Sequence, residues 1–282
     1  MIVVFDIGGT RTRISFSENG SDLIEPRTFP TPHEFDDGMD LIKMAIDQMV
    51  GGRDVKYVVG GIAGSLNRHK NKLFRSPHLP DWENKPLKDI LIKNTGAEVF
   101  LENDAALAGL AEANYGSGKD KKIVAYITIG TGVGGVRIVD GKIDESMWGF
   151  EPGYQILGDV FKNPSESENK YYYLDDLVGG AGIKLRLGKD PEEIEDQEVW
   201  KGISHILSVG INNIIVSWSP NVVILGGGLV IKGKIDIDFI NKNMQKMLRI
   251  FPSIPEVKVA QMGDLSTLHG GLLLIGQKSL LI

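Results

Sequence analysis

Three stretches of this 282-residue sequence carry residue types that can do chemistry. The first is Val99-Phe100-Leu101-Glu102-Asn103-Asp104, followed by alanine-rich residues 105–113. An apolar strand runs into Glu-Asn-Asp, and a helix leaves it and stops near Tyr115-Gly116. Asp104 therefore stands at the strand-to-helix edge where open α/β sheets place their ligands. A carboxylate there can accept a proton from a substrate hydroxyl. The plainer reading is a helix cap, since Asn and Asp satisfy free amides at helix starts. Two glycine turns shift the balance toward chemistry: Asp6-Ile7-Gly8-Gly9-Thr10-Arg11 and Thr128-Ile129-Gly130-Thr131-Gly132-Val133. Glycine lacks the Cβ that keeps backbone amides away from an anion. Thr10, Thr128 and Thr131 add hydroxyl donors for phosphate oxygens, and Asp6 can hold Mg²⁺ directly or through water. One glycine turn alone is more often just a hairpin. No Gly-x-x-x-x-Gly-Lys-Ser/Thr loop occurs, nor Gly-x-Gly-x-x-Gly at a strand–helix turn, so a P-loop and a Rossmann site both lack support. The combination carries the signal.

The elements that must position these stretches repeat. Residues 2–5 read as a buried strand and residues 13–17 as its return, with Asn19-Gly20 as a turn. Residues 123–127 and 136–139 repeat that pattern, ending at Asp140-Gly141. Later in each half a strand ends in glycines, residues 57–64 and then residues 221–228 with Gly226, Gly227 and Gly228. This is weak repetition of a whole domain rather than a short-period solenoid. Helical patterns over residues 39–50, 86–94, 202–217 and 239–250 alternate with the strands and indicate an α/β architecture. The expected division is a smaller domain of residues 1–104 plus 268–282 with the first turn, and a larger one of residues 105–267 with the second, around an interdomain cleft. Residues 161–170 read as a polar loop and residues 171–177 as a helix start. Residues 190–196 read as a solvated acidic helix face.

Composition narrows the classes. Hydrophobic and charged fractions of 42% and 24% are those of an ordinary globular protein. A net charge of -6 argues against a general nucleic-acid binder. The absence of cysteine removes disulfides, thiol nucleophiles and thiolate metal sites. No apolar run is long enough to span a bilayer, and the first residues lack the form of a signal peptide. A cytoplasmic location is expected.

Nearly the whole chain resembles the ROK sugar kinases (repressors, open reading frames and kinases), which have the actin-like, hexokinase-type (ribonuclease H-like) ATPase fold. Asp6-Ile7-Gly8-Gly9-Thr10 is similar to that family's first phosphate loop. The stretch from Thr128 to Gly135 is similar to its second, and Leu101-Glu102-Asn103-Asp104-Ala105 to its sugar-binding and catalytic stretch. Residues 219–228 resemble its adenosine segment, Leu79-Pro80-Asp81-Trp82 its sugar-side loop, and Gly263-Asp264-Leu265 the entry to its last helix. The resemblance implies an ATP- and Mg²⁺-dependent kinase for a hexose hydroxyl, glucose-like and at the 6-OH. It implies Asp104 as general base, and Asn103, Glu151, Tyr154, Asp175 and His78 on the sugar side. Asp6, Gly8, Gly9, Thr10, Arg11, Thr128, Gly130, Thr131, Gly132 and Gly226–Gly228 fall on the nucleotide side. A homodimer is common among such proteins, and neither nucleic acid nor membrane is expected as a partner. Three departures fall around the sugar. Tyr154 stands at a zinc-binding histidine position, and no zinc is expected without cysteine. His78 stands where asparagine is common, and Asp175 stands for glutamate. An N-acetylated hexosamine such as N-acetylmannosamine is the alternative substrate. A sugar-sensing regulator and a non-catalytic sugar- or nucleotide-binding protein are the alternatives from other classes.

Overall fold

The computed structural model describes residues 1–158 and 172–279, so the polar stretch 161–170 lies outside the described residues. The chain forms two units. One comprises Met1–Ala111, Glu145–Gly149 and the stretch from Asp264 onward; the other comprises the described residues of Glu112–Asp144 and Phe150–Gly263.

In the first unit, Ile2–Ile7 forms β1, buried from Val3 onward because both faces of the strand are covered. Arg11–Ser17 (β2) returns antiparallel to it, and Arg27–Pro30 (β3) pairs outside β2. Phe35–Val50 (α1) crosses to Tyr57–Ile62 (β4), which lies parallel to β1. Met39, Ile42 and Ile46 give α1 its buried stripe, and Gly51 ends it in the left-handed region at φ 60°. Ser65–Leu66 (β5) and Leu73–Arg75 (β6) make a small hairpin. Leu87–Thr95 (α2) leads into Glu98–Asn103 (β7), parallel to β4, and then Asp104–Asn114 (α3). The sheet order is β3-β2-β1-β4-β7.

The second unit repeats this plan. Ile123–Ile129 (β8), Val133–Val139 (β9) and Lys142–Ile143 (β10) form the antiparallel run. Ile156–Gly158 (β11) pairs with Tyr172–Tyr173 (β12), after which come Leu174–Val178 (α4), Gly180–Leu187 (α5) and Gln197–Trp218 (α6). Val222–Gly226 (β13), Gly228–Ile231 (α7), Ile237–Met247 (α8) and Glu256–Val259 (β14) complete it. The sheet order β10-β9-β8-β13-β14 matches that of the first unit position for position. The repetition read from the glycine turns is a repetition of topology. Ser266–Ser279 (α9) returns to the first unit, where Leu268, Leu272 and Ile275 pack on Val4 and Val59.

Two local expectations change. Tyr172 and Tyr173 are strand, and the helix begins only at Leu174. The acidic stretch around residue 190 is not a helix face. It makes a short 3₁₀ turn, Pro191–Glu193, and Asp196 caps α6 by accepting the Glu198 amide. A β-sheet edge and a cap both suit these side chains better than a helix interior does. Among the described residues no helix is long and apolar enough to cross a membrane.

Glu112 ties the second unit together. Its carboxylate is fully buried and accepts three backbone amides: Ser117 at 2.9 Å, Gln261 at 2.7 Å and Met262 at 2.6 Å. Gly116 is small because a Cβ there would stand 2.0 Å from Glu112 Oε2. Leaving a buried donor unpaired costs about 1–3 kcal/mol. Glu112→Ala is therefore expected to lower the unfolding free energy by at least about 3 kcal/mol, read as a drop in the urea midpoint. A loss under about 1 kcal/mol would show that water replaces the carboxylate without penalty.

Candidate active site

Parallel register builds the first unit's site. Asp6 on β1 pairs with Gly61 on β4, and Gly61 pairs with Glu102 on β7, so Asp6 and the Asn103-Asp104 corner reach the same carboxyl edge of the sheet. Gly61 makes the corner possible: a Cβ there would lie 2.4 Å from Thr267 Cγ2 and 3.3 Å from the Asp104 Cα. The cap that Asp104 was weighed against is supplied by its neighbour. Asn103 Oδ1 accepts the Ala106 amide at 3.0 Å, and Asn103 Nδ2 donates to Gly64 O at 3.1 Å. Asp104 Oδ1 accepts the Ala105 amide at 2.8 Å.

The charges at this edge are crowded. Burial pushes the Asp104 carboxyl above its ordinary value, while backbone donation from Ala105 and the nearby His78 pull it back. Asp6 is pushed up to about 7, first by burial and then by the charge of Asp104, against the opposing pull of Arg13. Arg13 reaches Asp6 at 3.2 Å and Asp264 at 3.5 Å. His78 packs over the first glycine turn, where a Cβ on Gly9 would stand 2.4 Å from the His78 Cβ. The turn itself is closed by Gly8 N–H to Arg11 O at 3.0 Å, and Thr31 Oγ1 donates to Gly8 O at 2.7 Å. Asp6, Gly8, Gly9, Thr10, Arg11, His78, Asn103 and Asp104 thus all belong to one unit.

The remaining predicted residues belong to the second unit. Thr128 is the penultimate residue of β8, and beyond it Gly130 N–H closes the second turn on Gly132 O at 2.9 Å. A Cβ on Gly130 or Gly228 would meet nothing within 4 Å, so packing does not require glycine there. Gly226 and Gly227 differ: a Cβ would stand 2.4 Å from the Tyr126 hydroxyl and 2.4 Å from Ile129 O, respectively. Glu151 precedes the 3₁₀ turn Pro152–Tyr154 and Tyr154 is its last residue, both are exposed, and the Tyr154 ring stands edge-on to Tyr173 with centroids 5.7 Å apart. Asp175 accepts the Val133 amide.

Sequence reasoning missed Arg13, Thr31 and the ion pair between Lys70 and Glu102, whose Oε1 also accepts the Asn103 amide at 3.1 Å. Only Arg13 left a legible signal, a cation paired across the hairpin from Asp6. Trp82 is core. It is buried, donates to Pro32 O and His33 O, and meets Phe35 edge-on. Trp148 is half exposed beside Phe74.

The sequence profile of the ROK family matches residues 2–278. A glucokinase of Streptomyces coelicolor is 24% identical over 299 residues, covering 94% of each chain. An N-acetyl-D-glucosamine kinase of Histophilus somni is 26% identical over 298 residues, covering 94% of this chain and 96% of its own. The crystal structure of a ROK glucokinase from Streptomyces griseus in complex with glucose and AMPPNP aligns with a TM-score of 0.77 at 23% identity, covering 97% and 98%. The fold is therefore the actin-like, hexokinase-type ATPase fold.

Between about pH 4 and 7 the folded chain holds a proton on Asp6 that the unfolded chain has released, so folding stability falls as pH rises through that window. Asp6→Asn removes this loss. In metal-free buffer the variant is expected to melt above wild type at pH 8 and by a smaller margin at pH 5, followed by differential scanning fluorimetry. An equal margin at both pH values would contradict the crowding of charge at Asp6.

Proposed function

The chain belongs to the ROK family, and we propose that within it the protein is an ATP-dependent sugar kinase, moving the γ-phosphoryl group to a hexose hydroxyl, glucose-like and at the 6-OH. One observation carries the reading. Asn103 makes the cap bond to the Ala106 amide while Asp104 accepts only the adjacent Ala105 amide among the bonds described, and burial makes the Asp104 carboxylate a stronger proton acceptor than a solvated aspartate.

In this mechanism Asn103 and Glu151 orient the sugar, and Asp104 accepts the hydroxyl proton as the oxygen attacks the γ-phosphorus. The bond from phosphorus to the β–γ bridging oxygen breaks, and ADP carries away that electron pair. Amides and threonine hydroxyls of the two glycine turns bind phosphate oxygens, so most of the rate enhancement comes from positioning and charge stabilisation.

The donor chemistry fits Mg²⁺. Asp6 is a carboxylate in surplus negative charge, and among the described residues no group of three or more His, Cys, Asp or Glu makes a cage of its own. Mg²⁺ is commonly held by one or two carboxylates together with substrate phosphates. Asp6 would hold it directly or through water, and when bound it neutralises charge on the phosphate groups. A homodimer in the cytoplasm accompanies this proposal by resemblance. An N-acetylated hexosamine is the second reading. It draws on the Histophilus relative and on Tyr154, which alters reach on the sugar side.

A coupled ADP-release assay over hexoses and acetylated hexosamines tests the reading, with turnover on glucose expected to exceed that on N-acetylmannosamine. No turnover on any sugar would favour a sugar-sensing regulator. Asp104→Asn is expected to cut kcat by about 10²–10⁴ while leaving sugar affinity nearly unchanged. Wild-type kcat at saturating substrates would remove Asp104 from the chemistry.

A further inference from the structure

Asp175 stands where the family resemblance implies a sugar-binding glutamate, yet its carboxylate faces a different task. The Val133 amide, at the exit of the second glycine turn, donates to Asp175 Oδ1. The next helix holds the rest of the turn. Gly180 N–H donates to Gly130 O at 2.9 Å, and Ala181 N–H donates to Thr131 O at 2.8 Å. The approach is close: a Cβ on Gly179 would stand 3.1 Å from the Gly132 Cα, and one on Gly180 would stand 2.9 Å from Gly130 O. The segment from α4 to the start of α5 thus engages two carbonyls and one amide of the turn. The amides of Thr131 and Gly132 hydrogen-bond to no group among the described residues, and Thr131 is exposed. A backbone turn whose carbonyls are tied down, and two of whose amides have no partner among the described residues, is preorganised for an anion.

We propose that Asp175 is a positioning residue for the phosphoryl donor, holding the 130–133 turn in its anion-binding shape, rather than a residue that reads the sugar. The inference rests on the kinase reading and deepens it. Aspartate fits this task because the shorter side chain reaches Val133. Glutamate, one methylene longer, would displace the turn or leave the amide unpaired. The position therefore governs nucleotide affinity, and sugar preference is set elsewhere.

The test is calorimetric binding to the full chain, with Mg-AMPPNP, glucose and N-acetylmannosamine as separate probes. Asp175→Ala is expected to weaken Mg-AMPPNP by about tenfold, the scale of losing one charge-assisted hydrogen bond. Affinity for whichever sugar binds wild type should stay within about twofold, under the tenfold that 1.4 kcal/mol represents. Asp175→Asn keeps an acceptor for the Val133 amide and is expected to recover most of the nucleotide affinity. If Asp175→Ala does not fold, Asp175→Glu takes its place with the same expected split, and a sugar-reading role would instead leave its nucleotide affinity intact. A loss confined to sugar binding, or unchanged nucleotide affinity in a folded variant, overturns the proposal while leaving the kinase reading standing. Failure of wild type to bind Mg-AMPPNP overturns that reading and this inference with it.

Discussion

Placing a half-buried carboxylate beside a buried one is the constraint on which the first unit depends. Asp6 and Asp104 repel, and burial denies them the water that would screen the repulsion. A fold that stabilised only itself would avoid such a pair. Here the cost is partly offset by Arg13, which also reaches Asp264 on the way into α9. The rest follows from holding the pair in place. β1, β4 and β7 must be parallel and in register, since a slip of one residue would turn Asp6 to the opposite face of the sheet. Position 61 must be glycine, because the backbone of Asp104 and the Thr267 side chain occupy the volume above it. Charge left over at a sheet edge is strain that a cation or a developing positive partner relieves, which is how functional sites come to be the least self-sufficient part of a fold.

Much of this was legible because it is written in residue type. Glycine turns after apolar strands marked both hairpins. A polar corner between a strand and an alanine-rich helix marked Asn103-Asp104. Repetition of that grammar indicated a weak repetition of a whole domain, and the two sheets share one strand order. What remained hidden depends on partners far along the chain. Which of Asn103 and Asp104 caps α3 is settled by side-chain geometry and not by composition, since both residue types cap equally well. The break between units falls inside α3, between Ala111 and Glu112, where helical periodicity continues without interruption. Glu112 is a charged residue in an alanine-rich helix. Its role depends on amides 149 and 150 residues away, which no local pattern reports.

The two glycine hairpins show how far such a pattern can be trusted. Both turn a central strand back on itself, and both close with a short backbone bond, Gly8 to Arg11 in one and Gly130 to Gly132 in the other. Their supports have nothing in common. The first turn is braced from within its own sheet, by the Thr31 hydroxyl on Gly8 O and the Thr31 amide on Thr10 O at 3.0 Å. The second is braced from a helical segment that enters after β12, through Asp175, Gly180 and Ala181. Repetition therefore conserves the turn and not what holds it.

That difference has a physical consequence. A turn braced by its own sheet is as rigid as the sheet, because the bracing strand is fixed by ladder hydrogen bonds on β2. A turn braced by the five-residue α4 and the start of α5 depends on how firmly that helical segment is seated. α4 is anchored by Leu174 and Val178, both fully buried in the core around α6, and Leu174 lies against Gly210, where a Cβ would stand 2.8 Å from the leucine side chain. The apolar core of the second unit thus reaches the second glycine turn through Leu174 and the carboxylate beside it. Adjacent residues of one short helix face opposite ways, one into the core and one onto the turn. The packing of α6 and the shape of the second glycine turn are thereby a single mechanical system.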